Sequence, residues 1–141
     1  MIEGWHDKDY IVLFEERSEG PAMAERYGIP ALLPDFTLVG IVGWDDFILR
    51  DASGKLFTVP TAPSVSDYLK PLGNQIDSSK IKSDSRFTGR IKWYVHPIVF
   101  GGDPSLEKNV TWVSIDQHVE LVKFWNNKYR EMKIASASRR V

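Results

Sequence analysis

The stretch FTLVGIVGWDDFILRDASGKLFTV, Phe36 to Val59, leaves the chain few ways to fold. DFILRD and KLFTVP are runs of alternating apolar side chains, joined at Ala52-Ser53-Gly54. Two such runs around a short glycine-containing loop predict an antiparallel hairpin. FTLVGIV, rich in β-formers and broken by Gly40, predicts a further strand beside it. Alternation puts Phe47 and Leu49 on one face, and Asp46, Ile48 and Arg50 on the other. Asp45 and Asp46 stand side by side at the start of the hairpin. Neighbouring strand residues point to opposite faces, whereas an acid–base pair of carboxylates must share a site. The pair therefore reads as a polar strand edge or an exposed acidic contact, not as a catalytic pair.

The best-marked element follows Ser114. Ser114 with Gln117 spells a capping box. Asp116 and Glu120 lie early, and Lys123, Lys128, Arg130 and Lys133 lie later, which suits the helix dipole. Val119, Val122, Trp125, Tyr129 and Met132 recur at steps of three or four, forming one stripe. The spacing predicts a helix from Ile115 to about Lys133, packed on the sheet, with a frayed tail from about 134. Upstream, DYIVLFEERSEG and PAMAERYG read as helical, with Pro21 in a first turn and Gly28 as a stop. IPALLPDF reads as an extended lead-in to the sheet.

Between strands and helix, TAPSVSDYLKPLGNQIDSSKIKSDSRF is polar and turn-rich. It predicts one short helix at about Ser64–Leu69, capped by Ser64 or Ser66, in an otherwise mobile loop. GRIKWYVHPIVFG is a second strand zone. There Ile91, Trp93 and Val95 alternate with Arg90, Lys92 and Tyr94, and Pro97 marks an edge or bulge. NVTWVS reads as a short strand. The class is α+β, with a central, mostly antiparallel sheet flanked by helices. At 141 residues the chain suits one domain over residues 1–141.

A net charge of -1 argues against wholesale attraction to nucleic acid or membrane. The charge is split, however. Residues 1–60 carry 11 acidic and 5 basic side chains, and the remainder 8 and 13. Cysteine is absent, so neither disulfides nor thiol chemistry are open to the chain. The start, MIEGWHDKDY, is charged and lacks the apolar run of a signal peptide, so a cytoplasmic location is expected.

His6, His96 and His118 lack zinc-motif spacing, and each reads as a structural histidine. GIVG lacks the glycine spacing of a dinucleotide loop, and Gly101-Gly102 is followed by no P-loop lysine. RFTGRIKWYV interleaves basic and aromatic residues, as a single-strand nucleic-acid clamp does, but a strand with one buried aromatic face accounts for it equally. No catalytic residue, cofactor or metal is expected from these patterns.

The pieces LLPDFTLVGIVG, DFILRDASGKLFTVP and DYLKPL, within Met23–Leu72, resemble the SUKH superfamily, whose first-described members are fungal cell-wall regulators. Bacterial members are thought to be immunity proteins for polymorphic toxins delivered by contact-dependent or type VI systems. The resemblance implies a non-catalytic protein whose partner is a cognate toxin, with no direct contact to nucleic acid or membrane. The alternatives are an adaptor or regulatory protein-binding domain on the same scaffold, and a nucleic-acid-processing or nucleic-acid-binding protein. On the immunity reading Trp44, Asp45, Asp46 and Asp51 are the expected contact residues, their carboxylates matching a basic toxin cleft.

Overall fold

The hairpin forms as its pattern dictates. In a computed structural model, which describes residues 1–42, 46–73, 76–94, 101–103 and 105–138, β4 (Asp46–Arg50) pairs antiparallel with β5 (Leu56–Pro60). Asp51 builds the turn. Its Oδ1 accepts hydrogen bonds from the Ser53 N–H at 2.9 Å, the Ser53 hydroxyl at 2.7 Å and the Lys55 N–H at 2.9 Å. The Ser53 hydroxyl, ahead of the backbone donors, holds the carboxyl below its ordinary range.

Around this hairpin a six-stranded antiparallel sheet runs in chain order. It comprises β1 (Ile2–His6), β2 (Asp9–Leu13), β3 (Thr37–Val42), β4, β5 and β6 (Lys70–Pro71). A separate ribbon pairs β7 (Arg90–Tyr94) with β8 (Val110–Ser114). The helices are α1 (Glu19–Tyr27), the single turn α2 (Ile29–Leu32) and α3 (Ile115–Ser138). The chain is α+β.

Both faces of the sheet are buried. On one face, Val12, Leu38, Ile41, Phe47, Leu49 and Val59 pack with Met23 and Tyr27 of α1, Ile91 and Trp93 of β7, and Val119 and Val122 of α3. On the other, Ile11, Val39, Ile48 and Leu56 form a second cluster under Leu72, Ile76 and Ile81. Phe47, Ile48 and Leu49 are therefore all fully buried, and β4 is an inner strand rather than a polar edge.

The segment after β6 thus differs from the mobile loop its composition predicts. Leu72, Ile76 and Ile81 lie on the back of the sheet, and Lys82 then bridges to Trp5 on β1, N to O at 2.7 and 2.9 Å. Gly4 makes that approach feasible: a Cβ there would stand 2.3 Å from the Lys82 carbonyl oxygen. The expected short helix is a 3₁₀ turn, Ser66–Tyr68, without a side-chain cap.

Two local expectations fail, and one strand was not foreseen. DYIVL is strand β2 instead of helix, because Ile11–Leu13 pair with Gly40–Val42 of β3. The N-terminal residues form β1. IPAL is the helical turn α2 instead of an extended lead-in. Gly28 does stop α1, at φ +78, with its N–H donating to Glu25 O.

The capping box of α3 is closed. The Ser114 N–H donates to Gln117 Oε1 at 3.0 Å, and the Gln117 N–H to Ser114 Oγ at 3.2 Å. The helix continues to Ser138 instead of ending near Lys133. Ser114→Ala is expected to cost about 1 kcal/mol in denaturant unfolding. An unchanged midpoint would mean that β8 pairing alone fixes the helix start.

Candidate functional site

The expected acidic contact divides in the structure. Trp44 and Asp45 lie outside the described residues. Asp46 opens β4 opposite Val42 and Pro60 and is half-buried. Asp51 is at the other end of the same strand, about 17 Å away at strand rise. Its carboxylate is engaged by its own turn. Asp46 and Asp51 therefore do not converge on one patch.

A different surface gathers the side chains that suit recognition. Trp5 of β1 stands opposite Tyr10 of β2. Lys92 of β7 stands opposite Trp112 of β8, and Phe87 comes from the loop before β7. The Phe87 and Trp112 rings stack, 3.9 Å between centroids at 18°. Trp5 meets Phe87 and Trp112 edge-on, at 6.1 and 6.2 Å. The Lys92 Nζ lies over Trp5 and Trp112, 6.0 and 5.8 Å from their centroids. Together with Arg86, Leu106, Glu107 and Val110 these residues line a groove of about 510 Å³. Leu106, on its rim, is 56 % exposed.

Hydrogen bonds hold the walls in place. The Trp5 indole N–H donates to Asp84 Oδ2 at 3.1 Å, and Arg86 grips the same carboxylate from Nε and Nη2 at 3.1 and 2.8 Å. This fork holds the Asp84 carboxyl well below the usual carboxylate range. The Tyr10 hydroxyl donates to the Phe87 carbonyl oxygen at 3.3 Å. Burial first, then the Glu3 and Asp84 charges, pushes that hydroxyl up to about 12. Desolvation lowers the Lys92 ammonium, against the opposing pull of Asp9.

The rings pack on one another, a cation is partly dehydrated above them, and exposed Leu106 stands at the mouth among Arg86, Ser105 and Glu107. Asp84 already neutralises Arg86, and Glu107 adds a negative charge to the lining, so the groove offers no net positive track for a phosphate backbone.

No family model, curated protein or solved structure matches the chain.

His118, which stands in the first turns of α3, is fully buried. Its Nδ1 lies 2.6 Å from the Tyr27 hydroxyl, and burial lowers the imidazole to about 3. It is a structural histidine. His6 closes β1, and His96 lies outside the described residues. Among the described residues no group of three or more His, Cys, Asp or Glu is placed to hold a metal ion. Nor is any described helix long and apolar enough to cross a membrane.

Sequence patterns pointed at half of this groove. RFTGRIKWYV contains Arg86, Phe87 and Lys92 of its lining, and Ile91 and Trp93 lie in the core as the alternation predicts, while Val95 and Pro97 lie outside the described residues. Trp5, Asp84 and Trp112 carried no signal, because each comes from a segment distant in sequence.

Proposed function

We propose that the chain is a non-catalytic immunity protein that neutralises a cognate bacterial toxin by binding it, with the aromatic groove as its principal contact. One observation supports this: a preorganised surface of two tryptophans, a phenylalanine and a partly dehydrated lysine, with exposed Leu106 at its mouth. Trp, Tyr and Arg dominate binding hot spots, and rigid aromatic pockets lose little entropy on association. The groove would take an apolar or aromatic anchor side chain of the toxin. An adaptor uses the same surface for a partner that is not a toxin.

The test is a rescue experiment. The gene adjacent to this one is induced in a susceptible host, and survivors are counted with and without the chain. Rescue with co-elution of the two products is the expected result. Toxicity without rescue removes the immunity reading, and co-elution without toxicity selects the adaptor. Leu106→Asp, at an exposed position, should weaken the complex by about 2 kcal/mol, roughly 30-fold in Kd, with circular dichroism unchanged. If Asp46→Lys weakens binding and Leu106→Asp does not, the contact is the acidic hairpin and not the groove.

A further inference from the structure

The buried stripe of α3, namely His118, Val119, Val122 and Asn126, ends halfway along the helix. Beyond it, residues 127–133 are exposed apart from half-buried Tyr129. A second stripe runs beside the first. Leu121, Trp125, Lys128 and Met132 follow each other at steps of four, three and four, the spacing of a helix-pairing seam. Phe124 lies beside them, its ring edge-on to Trp125 at 5.2 Å. Phe124 is 58 % exposed and Met132 52 %. Phe124 and Met132 are thus large apolar side chains held in water, whereas Leu121 and Trp125 are half-buried against the core. Tyr68, 41 % exposed and hydrogen-bonded to Tyr129, extends the same side.

We propose that this flank docks a second copy of the chain, α3 against α3, antiparallel about a two-fold axis between Phe124 and Trp125. The charge order of the helix selects that occupant. Asp116 is paired to Arg26 of its own chain at 2.7 Å, and Glu131 stands among Lys128, Arg130 and Lys133, but exposed Glu120 and Lys128 flank Phe124 one turn before and one turn after it. An antiparallel copy lays Glu120 of each chain beside Lys128 of the other, and a parallel copy sets each against its like. About that axis, Phe124 of each chain packs on the partner's Trp125. Lys128 of each chain lies over the partner's Leu121, within reach of the partner's Glu120. Residue i meeting j while j meets i is what a two-fold interface requires. The flank runs about 24 Å from Gln117 to Met132, with Phe124 and Met132 its exposed apolar side chains. It is separate from the groove, so a dimer would present two grooves.

Sedimentation equilibrium over a range of concentrations tests this. The expected result is a mass of two chains. Phe124→Asp, at an exposed site, should return one chain with unchanged circular dichroism. Lys128→Glu should also dissociate the dimer, and adding Glu120→Lys should restore it, because the pair is only inverted. A single chain at every concentration overturns the proposal. So does a dimer indifferent to Phe124→Asp. If the double inversion fails to restore the dimer, the antiparallel pairing falls.

Discussion

Replacing Asn126 with leucine is expected to destabilise the fold by about 3 kcal/mol, a drop in Tm on the order of 10 °C. Asn126 projects from α3 into the segment that follows β5. Its Oδ1 accepts from the Ser64 N–H at 2.8 Å, and its Nδ2 donates to the Thr61 carbonyl oxygen at 2.8 Å. Ser64 and Thr61 are almost wholly inaccessible to water. Leucine keeps the bulk but strands the Ser64 N–H in a dry site, and a buried donor left alone loses its full desolvation energy, about 1–3 kcal/mol. The Thr61 carbonyl oxygen keeps the Ser64 hydroxyl at 2.7 Å, so one of the two groups stays satisfied. The adjacent Asn127 is exposed, and Asn127→Leu should cost less than about 0.5 kcal/mol. Urea denaturation of the two variants decides the matter. Equal midpoints would mean that these bonds do not tie the loop to the helix.

Mild acid should weaken the protein before its carboxylates titrate. Neutral His118 shares a hydrogen bond of 2.6 Å between its Nδ1 and the Tyr27 hydroxyl, which burial pushes up. The Trp93 ring packs edge-on at 5.1 Å. The folded imidazole resists its proton down to about 3, whereas an unfolded histidine takes one near 6.5. Below pH 6.5 the unfolded state therefore binds more protons than the native state, and stability falls with pH. The slope is about 1.4 kcal/mol per pH unit, or about 2 kcal/mol between pH 6.5 and 5. Asp51, Asp77 and Asp103, whose carboxyls are held low by serine hydroxyls, contribute their own losses only at more acid pH. Unfolding free energies measured from pH 7 to 5 should show the slope in the natural chain and not in His118→Gln. A flat profile in the natural chain would show that the imidazole is not held neutral.

What was legible in the sequence was local. The β4–β5 hairpin, the Gly28 stop and the Ser114–Gln117 box are each closed by hydrogen bonds between residues a few positions apart. Their residue types are chosen by that short-range geometry. The inward face of β7 was legible for the same reason, since alternation needs no partner to be recognised. DYIVL was misread because an apolar run of that length satisfies helix and strand alike. Its strand state is imposed by β3, some thirty positions downstream. The back of the sheet was misread as well. Ile48 looked like part of a polar face until Ile76 and Ile81 covered it.

The sequence by itself determined the class, α+β around an antiparallel hairpin, and the position and polarity of the last helix. Only the tertiary structure decided the rest. It turned Asp51 into a turn-builder, buried His118 against Tyr27, and joined Asn126 to Ser64. It also brought Trp5, Phe87, Lys92 and Trp112 around one groove. Local patterns encode which backbone a segment prefers. A site assembled from β1, the Phe87 loop, β7 and β8 exists only after burial of the shared core has brought those segments together, and no spacing along the chain records it.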